Sequence, residues 1–301
     1  MLDAYLTQLL DGKPHAIPAD VVDTLQTYGV GLKKCGSHWQ LSQSFELLDK
    51  TYLAQHLGDT TVLTFSQLDS TNAYLLREAS EHNTLCSAEY QSAGRGRRGR
   101  VWHSPFAQNL YFSLRWDFHH LAPKIPQLSL ITACCIAQTL TQLGVQHIGL
   151  KWPNDIYLDG RKLGGILVES KRFTTHEQQL VIGVGLNLAM GEEHNRAITQ
   201  PWASLAQSHL QLSRNALLVA LVSALKTDFR AFQAGNGEAL LQSFSQFDCF
   251  LDRKVRLTQD HCQIDGIYQG IDCTTGEAII LVQGQLQRVH IGDISLRLEK
   301  E

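Results

Sequence analysis

The sequence has little net charge and no long apolar run. Its 301 residues carry a formal net charge of −3, so no field of the whole molecule draws the chain to nucleic acid or to a membrane surface. The first residues, MLDAYLTQLLDGK, lack a basic region followed by a long apolar run, and the most apolar later stretch, 128–145, is interrupted by polar residues. We therefore expect neither a signal peptide nor a membrane span, and any basic site must be local.

The sequence also lacks paired cysteines and internal repeats. Its seven cysteines are an odd number, form no CxxC pair and have no matching histidine spacing for zinc. They are typical of reduced, mostly buried thiols, so we expect a cytoplasmic protein. The length exceeds that of one ordinary domain, and 44% hydrophobic residues suffice for a packed core. Two or three domains are expected.

Residues 90–102 form the most distinctive stretch, which reads YQSAGRGRRGRVW. Three glycines this close would each cost about 1 kcal/mol in a helix and would pack poorly in a strand, so a loop is predicted. Ordering a loop costs about 1 to 2 kcal/mol per residue, and each charge-assisted hydrogen bond of an arginine returns about 1.5 to 3 kcal/mol. Because these totals are comparable, we expect a loop that is mobile without a ligand and closes over an anion.

An RG-type tract that coats single-stranded nucleic acid is the alternative interpretation of this loop. Such tracts usually repeat and lie in tails. Here the tract is single and lies between two apolar strand-like runs, 85–90 and 110–116. The context favours an anion-binding loop inside a folded domain.

A second motif, Ser70, Thr71 and Asn72, follows a predicted strand at 61–66. Ser70 or the preceding Asp69 can cap a helix that extends to about residue 81. Taken alone, the three residues are explained by a helix cap and need no further function.

A third motif, Lys151 followed by Trp-Pro-Asn-Asp, ends a predicted strand at 147–151. The chain is extended before a proline, so the ammonium of Lys151 is expected to project into the cleft that the strand ends face. A fixed positive charge there would face anionic reacting groups. The alternative is a surface lysine whose stem lies on the indole of Trp152.

Glycines recur in two later predicted strands. Gly164 and Gly165 indicate either a bulge or a backbone held close to a ligand. Gly183 and Gly185, within GVGLN, superficially resemble a dinucleotide-binding fingerprint. No third glycine opens a helix after them, so hairpin packing explains them better.

The pattern of apolar residues divides the chain into three parts. Residues 1–46 read as two helices and a hairpin. Residues 47–246 read as a mixed β-sheet with helices on one side. From about residue 247 the apolar residues alternate in short strands separated by Gly-containing turns, which is typical of a small β-barrel.

The three motifs occur in the order and at the spacing of the biotin protein ligase family, which the chain resembles from about Leu47 to its C-terminus. The similarity is specifically to the bifunctional bacterial type, which also represses the biotin operon. It implies an α+β fold, with a catalytic domain of the class II aminoacyl-tRNA synthetase and biotin ligase type at 47–246. An SH3-like β-barrel is implied at 247–301.

The N-terminal segment, residues 1–46, resembles a truncated, degenerate winged helix-turn-helix. Relative to that fold about one helix is absent, and it corresponds to the helix that would read the major groove. The two helices carry one basic residue, Lys13, against four acidic ones, which are Asp3, Asp11, Asp20 and Asp23. DNA-binding proteins need several basic contacts to phosphates, so specific DNA binding and repression are not expected.

The resemblance implies ATP-dependent biotin ligation in two half-reactions. The carboxylate of biotin attacks the α-phosphorus of ATP to give biotinyl-5'-AMP and pyrophosphate, and a lysine of an acceptor protein then attacks the mixed anhydride. The implied acceptor is the biotin carboxyl carrier protein of acetyl-CoA carboxylase. Mg²⁺ is expected with ATP, although no carboxylate cluster identifies its ligands. A homodimer is also implied, at least with the adenylate bound.

The resemblance further implies a role for each motif residue. The expected catalytic residues are Lys151, Arg95 and Arg97. The residues expected to bind biotin are Ser70, Thr71, Asn72, Gln91, Arg95, Gly96, Arg97 and Lys151. The residues expected to surround the adenylate are Gly94, Arg98, Gly99, Arg100 and Trp202. On its residues alone, Trp202 is equally compatible with a lid on the core and with a stacking surface for adenine.

Two alternative functions stay open. One is a lipoate or octanoate ligase of similar fold, although a lipoyl chain offers no ureido group for the Ser-Thr-Asn motif to bind. The other is a bifunctional ligase that also represses the biotin operon.

Overall fold

Three separate β-sheets carry the fold of this protein. The structure is a computed structural model that describes residues 2–78, 81–119, 126–172, 177–191, 198, 200–208, 210, 212–259, 262–290 and 294–298. The sheets have two, seven and five strands and follow one another along the chain. None of the described helices combines the length and apolar character needed to cross a bilayer.

The N-terminal segment contains the two helices and the hairpin that its sequence predicts. Its elements are α1 (Leu2–Leu9), α2 (Ala19–Thr27), β1 (Leu32–Cys35) and β2 (His38–Leu41). Leu6 and Leu9 are buried in an apolar cluster that also contains Phe106 and Ala107 of the central part. Tyr28, which ends α2, stacks on Tyr90 with ring centroids 4.5 Å apart. The segment therefore packs on the central part of the chain.

The central part contains a seven-stranded sheet in the order β3-β4-β5-β9-β8-β7-β6. Its elements are α3 (Lys50–Leu57), β3 (Thr61–Leu68), α4 (Thr71–Arg77), β4 (Thr84–Gln91), β5 (Asn109–His119), α5 (Gln127–Gln142), β6 (Ile148–Lys151), β7 (Asp155–Leu158), β8 (Arg161–Arg172), β9 (Glu177–Asn187), α6 (Arg214–Gln233), α7 (Gly237–Gln242) and α8 (Phe244–Phe247). Strands β3 and β4 are parallel and the other neighbours are antiparallel, so the predicted mixed sheet is confirmed.

The helices do not all lie on one face of this sheet. Leu85 and Ile182 belong to the main core with α3, α5 and α6, whereas their neighbours Cys86 and Val181 pack with Leu75 of α4. Successive side chains of a strand point to opposite faces. The predicted one-sided arrangement therefore holds for the long helices, and the short α4 covers part of the other face.

The C-terminal part is an antiparallel sheet in the order β13-β12-β11-β10-β14. Its strands are β10 (Lys254–Gln259), β11 (Cys262–Ile271), β12 (Ala278–Val282), β13 (Gln285–Val289) and β14 (Ile294–Leu298). Within the described ranges, the edge strands β13 and β14 do not pair with each other, so the closure of the expected SH3-like barrel is not seen. Alternation of apolar residues predicts pairing between neighbouring strands but does not determine closure.

The C-terminal sheet is anchored on the central part by buried contacts. Trp152 is 1% exposed and its indole Nε1 donates to the carbonyl of Gly276 at 3.0 Å. Gln127 Nε2 donates to the carbonyl of Thr274 at 2.6 Å. Apolar residues of both sheets belong to one core cluster. These contacts bring the C-terminal sheet to the edge of the cavity described below.

Candidate functional site

A cavity of about 720 Å³ opens on the sheet face that carries α4. It brings together the start of α4, the arginine-rich loop and the Lys-Trp-Pro-Asn-Asp motif. The predicted site residues that line it are Ser70, Thr71, Asn72, Gln91, Arg95, Gly96, Arg97, Arg98, Arg100, Lys151 and Trp202. Gly94 and Gly99 belong to the same loop but are not among the lining residues.

One end of the cavity floor is built around Asn72. The register of the sheet places Ser113, Gly183 and Leu167 opposite one another on β5, β9 and β8. Asn72 Oδ1 accepts from Ser113 Oγ at 2.5 Å, and its Nδ2 donates to the carbonyl of Leu167 at 3.2 Å. A Cβ atom at position 183 would overlap the Asn72 side chain. Gly183 is therefore required by this close approach.

The next row of the sheet lies under Trp102. Gly185, Gly165 and Asp155 are opposite one another on β9, β8 and β7. A Cβ atom at Gly185 would overlap the Trp102 ring, and one at Gly165 would lie 3.4 Å from it. The register also shifts beside Gly164, so the predicted bulge is confirmed, and the group that approaches Gly165 closely is the Trp102 side chain. The sequence did not identify Trp102 as a site residue. The signal for a large side chain above the sheet was the pair Gly183 and Gly185, two residues apart on β9.

The polar groups at the start of α4 are linked to the end of β4. Ser70 caps α4, since its Oγ accepts from the amide of Ala73 at 3.4 Å. Gln91 Oε1 accepts from the amide of Thr71 at 2.9 Å, while Gln91 Nε2 donates to Ser104 Oγ at 3.1 Å. The helix-cap interpretation of Ser70 is confirmed, and Ser70 also lines the cavity.

The arginine-rich loop is a tight hairpin. The amide of Gly96 donates to the carbonyl of Arg100 at 2.7 Å, and the amide of Trp102 donates to the carbonyl of Gly94 at 2.8 Å. A Cβ atom at Gly94 would lie 2.6 Å from the carbonyl oxygen of Trp102, so glycine is needed there. At the tip, Arg98 has a positive φ of 59°.

Two loop arginines contact protein groups directly. Arg95 Nη2 lies 3.1 Å from Glu169 Oε2, and Arg97 Nη1 donates to Asn154 Oδ1 at 3.1 Å. The second contact joins the loop to the Lys-Trp-Pro-Asn-Asp motif. Neither Glu169 nor the role of Asn154 was identified from the sequence, because β-sheet register rather than local sequence brings them to the loop.

Lys151 supplies a positive charge at the end of β6. Its Nζ lies 5.3 Å from the ring centroid of Phe250 and 5.9 Å from that of Tyr157. Within the described part of the chain, no carboxylate lies within ion-pair distance of this ammonium; Asp155 pairs with Lys162 at 2.8 Å instead. Burial lowers the pKa of Lys151, an effect that Asp155 opposes. Lys151 is partly buried rather than exposed, and its ammonium lies near the rings of Phe250 and Tyr157, which disfavours the alternative of a surface lysine.

Further cations reach the cavity from other elements. Lys162 of β8 lies 5.5 Å from the Trp102 ring centroid, and Arg297 of β14 lines the cavity from the C-terminal sheet. Trp202 lies beside Lys162, whose carbonyl accepts from the amide of Ala203 at 2.9 Å. Arg297 was missed because β14 itself was not predicted. The cavity thus combines a polar end at Asn72 with a cationic end at Lys151.

The described residues contain no group of three or more His, Cys, Asp or Glu side chains that could hold a metal ion. Asp155 is the only carboxylate among the described lining residues, and it is paired with Lys162. The site is therefore suited to bind anionic groups rather than to enclose a cation in protein ligands.

Most residues of this site lie in a region that matches a known protein family. Residues 64–187 match the model of the biotin/lipoate A/B protein ligase family. The chain is 37% identical over 279 residues to the bifunctional ligase/repressor BirA of Salmonella typhimurium, a match that covers 92% of this chain and 87% of that relative. It is also 37% identical over 128 residues to a biotin–[acetyl-CoA-carboxylase] ligase of Paracoccus denitrificans, covering 41% and 53% of the two chains.

A similar fold occurs among solved structures. Biotin protein ligase from Aquifex aeolicus, in complex with biotin and ATP, matches with a TM-score of 0.69 and 24% sequence identity. The match covers 79% of this chain and 99% of that structure. This chain therefore shares the fold of that structure over about four-fifths of its length.

Proposed function

This chain belongs to the biotin/lipoate A/B protein ligase family, and from that premise we propose that it is an ATP-dependent biotin protein ligase. In the first half-reaction the carboxylate of biotin attacks the α-phosphorus of ATP, which releases pyrophosphate and leaves biotinyl-5'-AMP. In the second, the ε-amine of an acceptor lysine attacks the mixed anhydride and releases AMP. The observation that carries the proposal is one cavity with small amide and hydroxyl groups at one end and cations at the other.

The polar end of the cavity supports biotin as the substrate. Ser70, Thr71, Asn72 and Gln91 offer small hydroxyl and amide groups of the kind that suit the donors and acceptor of a ureido ring. Most of these groups are already oriented by hydrogen bonds from the protein. A lipoyl or octanoyl chain has no ureido group and would leave such polar groups without partners, which is unfavourable.

The cationic end supports the chemistry of both half-reactions. Each step builds negative charge and needs no covalent enzyme intermediate, so positioned substrates, fixed cations and exclusion of water suffice. Lys151 would stabilise charge that develops at the reacting centre, because its ammonium has no carboxylate partner within the described ranges. Arg95, Gly96 and Arg97 would close over the substrates, Gly94, Arg98, Gly99 and Arg100 would order the loop, and Trp202 would pack near the adenine.

Magnesium would accompany ATP without a dedicated protein cage. Mg²⁺ usually keeps several waters and is held by one or two carboxylates together with substrate phosphates. Asp155 is the one carboxylate that the described lining residues offer. The donor set therefore fits an ion carried mainly by the triphosphate, whose charge it would partly neutralise.

We also propose the acceptor, the domains and the setting of the reaction. The acceptor would be the biotin carboxyl carrier protein of acetyl-CoA carboxylase, in line with the name of the Paracoccus denitrificans relative. The catalytic domain would span residues 47–246, between an N-terminal segment at 1–46 and a C-terminal domain at 247–301. The protein would act in the cytoplasm and would form a homodimer when the adenylate is bound.

Repression of the biotin operon is the second candidate function, because the Salmonella typhimurium relative is named a ligase and repressor. The charge of residues 1–29 weighs against it, since they carry one basic residue, Lys13, against four acidic ones. We therefore propose a ligase that does not bind an operator specifically.

Pyrophosphate release tests the substrate assignment. The protein is incubated with MgATP and, in separate reactions, with biotin, lipoate or octanoate at equal concentrations. Biotin should support pyrophosphate release at a rate at least tenfold above either alternative. Faster release with lipoate or octanoate would reject the biotin assignment while leaving the family unchanged.

A further inference from the structure

We propose that Glu169 is a positioning residue that fastens the arginine-rich loop to the biotin end of the cavity, and that Arg95 acts through this carboxylate rather than on the reacting phosphate. The inference rests on the proposed ligase function and deepens it. A single oxygen atom contacts both residues: Glu169 Oε2 accepts from Asn72 Nδ2 at 2.9 Å and lies 3.1 Å from Arg95 Nη2.

The Asn72 side of this arrangement is rigid. Asn72 is 3% exposed, and its amide is held by Ser113 and by the carbonyl of Leu167 in addition to Glu169. Gly183 lies directly beneath it, and a Cβ atom at that position would overlap Asn72 Oδ1, so the amide packs directly on the strand backbone. Glu169 therefore contacts a group that cannot move without disturbing the floor of the pocket.

On the other side of this arrangement, Arg95 belongs to the exposed arginine-rich loop. The Arg95 side chain is 42% exposed and that of Glu169 is 25% exposed. A hydrogen-bonded hairpin joins the positions on either side of Arg95 to the returning strand of the loop. Breaking the pair would remove the contact between the Arg95 side chain and the sheet and loosen the start of the loop, while Arg97 would still reach Asn154.

The ion pair with Arg95 also neutralises the charge of Glu169. A carboxylate beside a site for anionic substrates repels them unless its charge is neutralised. Glu169 is not among the described lining residues of the cavity, but it contacts Asn72, which is one of them. Paired with Arg95, it orients the Asn72 amide and holds the loop without presenting a free negative charge to the substrates.

A double-mutant cycle tests the pair. Arg95→Ala, Glu169→Ala and the double variant are compared for the KM of biotin, the kcat of pyrophosphate release and the half-life of retained biotinyl-5'-AMP. Each single change should raise the KM about tenfold, the factor that corresponds to about 1.4 kcal/mol, and should shorten adenylate retention similarly. The kcat at saturating biotin should change less than threefold, and the double variant should be no worse than the poorer single one.

Two further variants keep the test decisive if an alanine change perturbs folding. Arg95→Glu combined with Glu169→Arg should recover part of the KM lost in Arg95→Glu alone. The matched control is Arg256→Ala, which removes an arginine of similar exposure from a 2.7 Å ion pair with Asp265 on the C-terminal sheet and should leave the KM unchanged.

The contrary result is equally specific. If Arg95 acts on the reacting phosphate, Arg95→Ala will lower kcat at saturating biotin while Glu169→Ala has little effect, or the two effects will add. Either outcome would overturn the proposal. Failure of the unaltered protein to release pyrophosphate with biotin would instead reject the ligase function.

Discussion

At the scale of single residues, Lys151 carries the charge on which the proposed chemistry depends most. Its ammonium lies near two aromatic rings, at the end of a strand and without a carboxylate partner in the described ranges. Burial makes its charged form less favourable than in water, and that is why burial lowers its pKa. A residue that is mildly unfavourable for folding and oriented toward a cavity is better explained by function than by stability.

Lys151→Ala should therefore reduce activity without a matching loss of stability. We expect the rate of biotinyl-5'-AMP formation to fall roughly 10²-fold, as for a lost donor to a developing negative charge. The melting temperature should change by no more than a few degrees, because Lys151 forms no ion pair with the residues that the structure describes. Single-turnover adenylation and thermal unfolding measure the two quantities. Parallel losses of activity and melting temperature would show that the lysine is structural.

The pH dependence of adenylation should report the same lysine. Its pKa lies below the ordinary value of 10.5, so its charge is lost as pH rises through that lowered value, and the rate should fall there. In the same window the unfolded chain binds more protons at this lysine, so the contribution of Lys151 to stability rises with pH and its titration does not itself favour unfolding. Lys151→Arg, which stays charged, should remove this alkaline fall relative to its own maximum. Identical alkaline profiles would contradict the assignment.

The residues of the site were only partly predictable from sequence. The three motifs are local, and eleven of the thirteen predicted site residues line the cavity in the structure. Three residues of the site were missed. Glu169 reaches the loop through the register of the central sheet, Arg297 lies on a strand that was not predicted, and Trp102 packs on glycines that are distant in sequence. Glycines at alternate positions of β9 could have indicated a large side chain above the strand. No local pattern could have identified Glu169 as a partner of Arg95.

At the scale of elements, the arginine-rich loop is expected to close on substrate binding. Arg98 and Arg100 are exposed at its tip, where trypsin can cleave. Because ordering the loop costs about as much as its arginines return to an anion, biotin with ATP should slow this cleavage at least several-fold. Cleavage after the exposed Lys34 serves as the control and should not change. Equal loop cleavage with and without substrates would reject the closing loop.

The N-terminal segment is a second element whose contacts reach the site. The Tyr28 ring stacks on Tyr90, which precedes Gln91 in β4, and the Tyr28 carbonyl accepts from the amide of Phe106 at 2.9 Å. Loss of this ring would weaken the packing beneath the end of the strand that supplies Gln91.

Tyr28→Ala should lower the free energy of unfolding by about 2 kcal/mol, from lost stacking and burial. It should also raise the KM for biotin several-fold. Tyr52→Ala is the matched control, because Tyr52 is also half-buried but stacks on His56 of α3. Denaturant unfolding and steady-state kinetics measure both effects. An unchanged KM in Tyr28→Ala, despite lost stability, would show that the segment does not influence the site.

The elements themselves followed from sequence more fully than their arrangement did. Periodicity and turn residues predicted the helices of the N-terminal segment, most strands of the central sheet and four strands of the C-terminal one. The position of α4 on the opposite face and the open edge between β13 and β14 within the described ranges were not predicted. Both depend on contacts between distant parts of the chain, which local periodicity does not contain.

At the scale of the whole molecule, the N-terminal segment packs on the central part of the chain, and we predict that it does not bind operator DNA. Asp11, Asp20 and Asp23 are exposed on the segment, where a DNA-binding surface would need basic residues. Mobility-shift assays with the biotin operator at moderate salt and with biotinyl-5'-AMP should therefore show no specific complex. A nanomolar complex that unlabelled operator DNA displaces, but unrelated DNA does not, would contradict this expectation.

Transfer of biotin to a protein tests the central claim most directly. The full chain is incubated with ATP, biotin and a biotin carboxyl carrier domain, and the intact mass of the carrier is measured. We predict an increase equal to one biotinyl group that requires ATP and disappears when the acceptor lysine is replaced by arginine. An unchanged carrier mass, under conditions in which the chain is folded and binds biotin, would contradict the assignment as a biotin protein ligase.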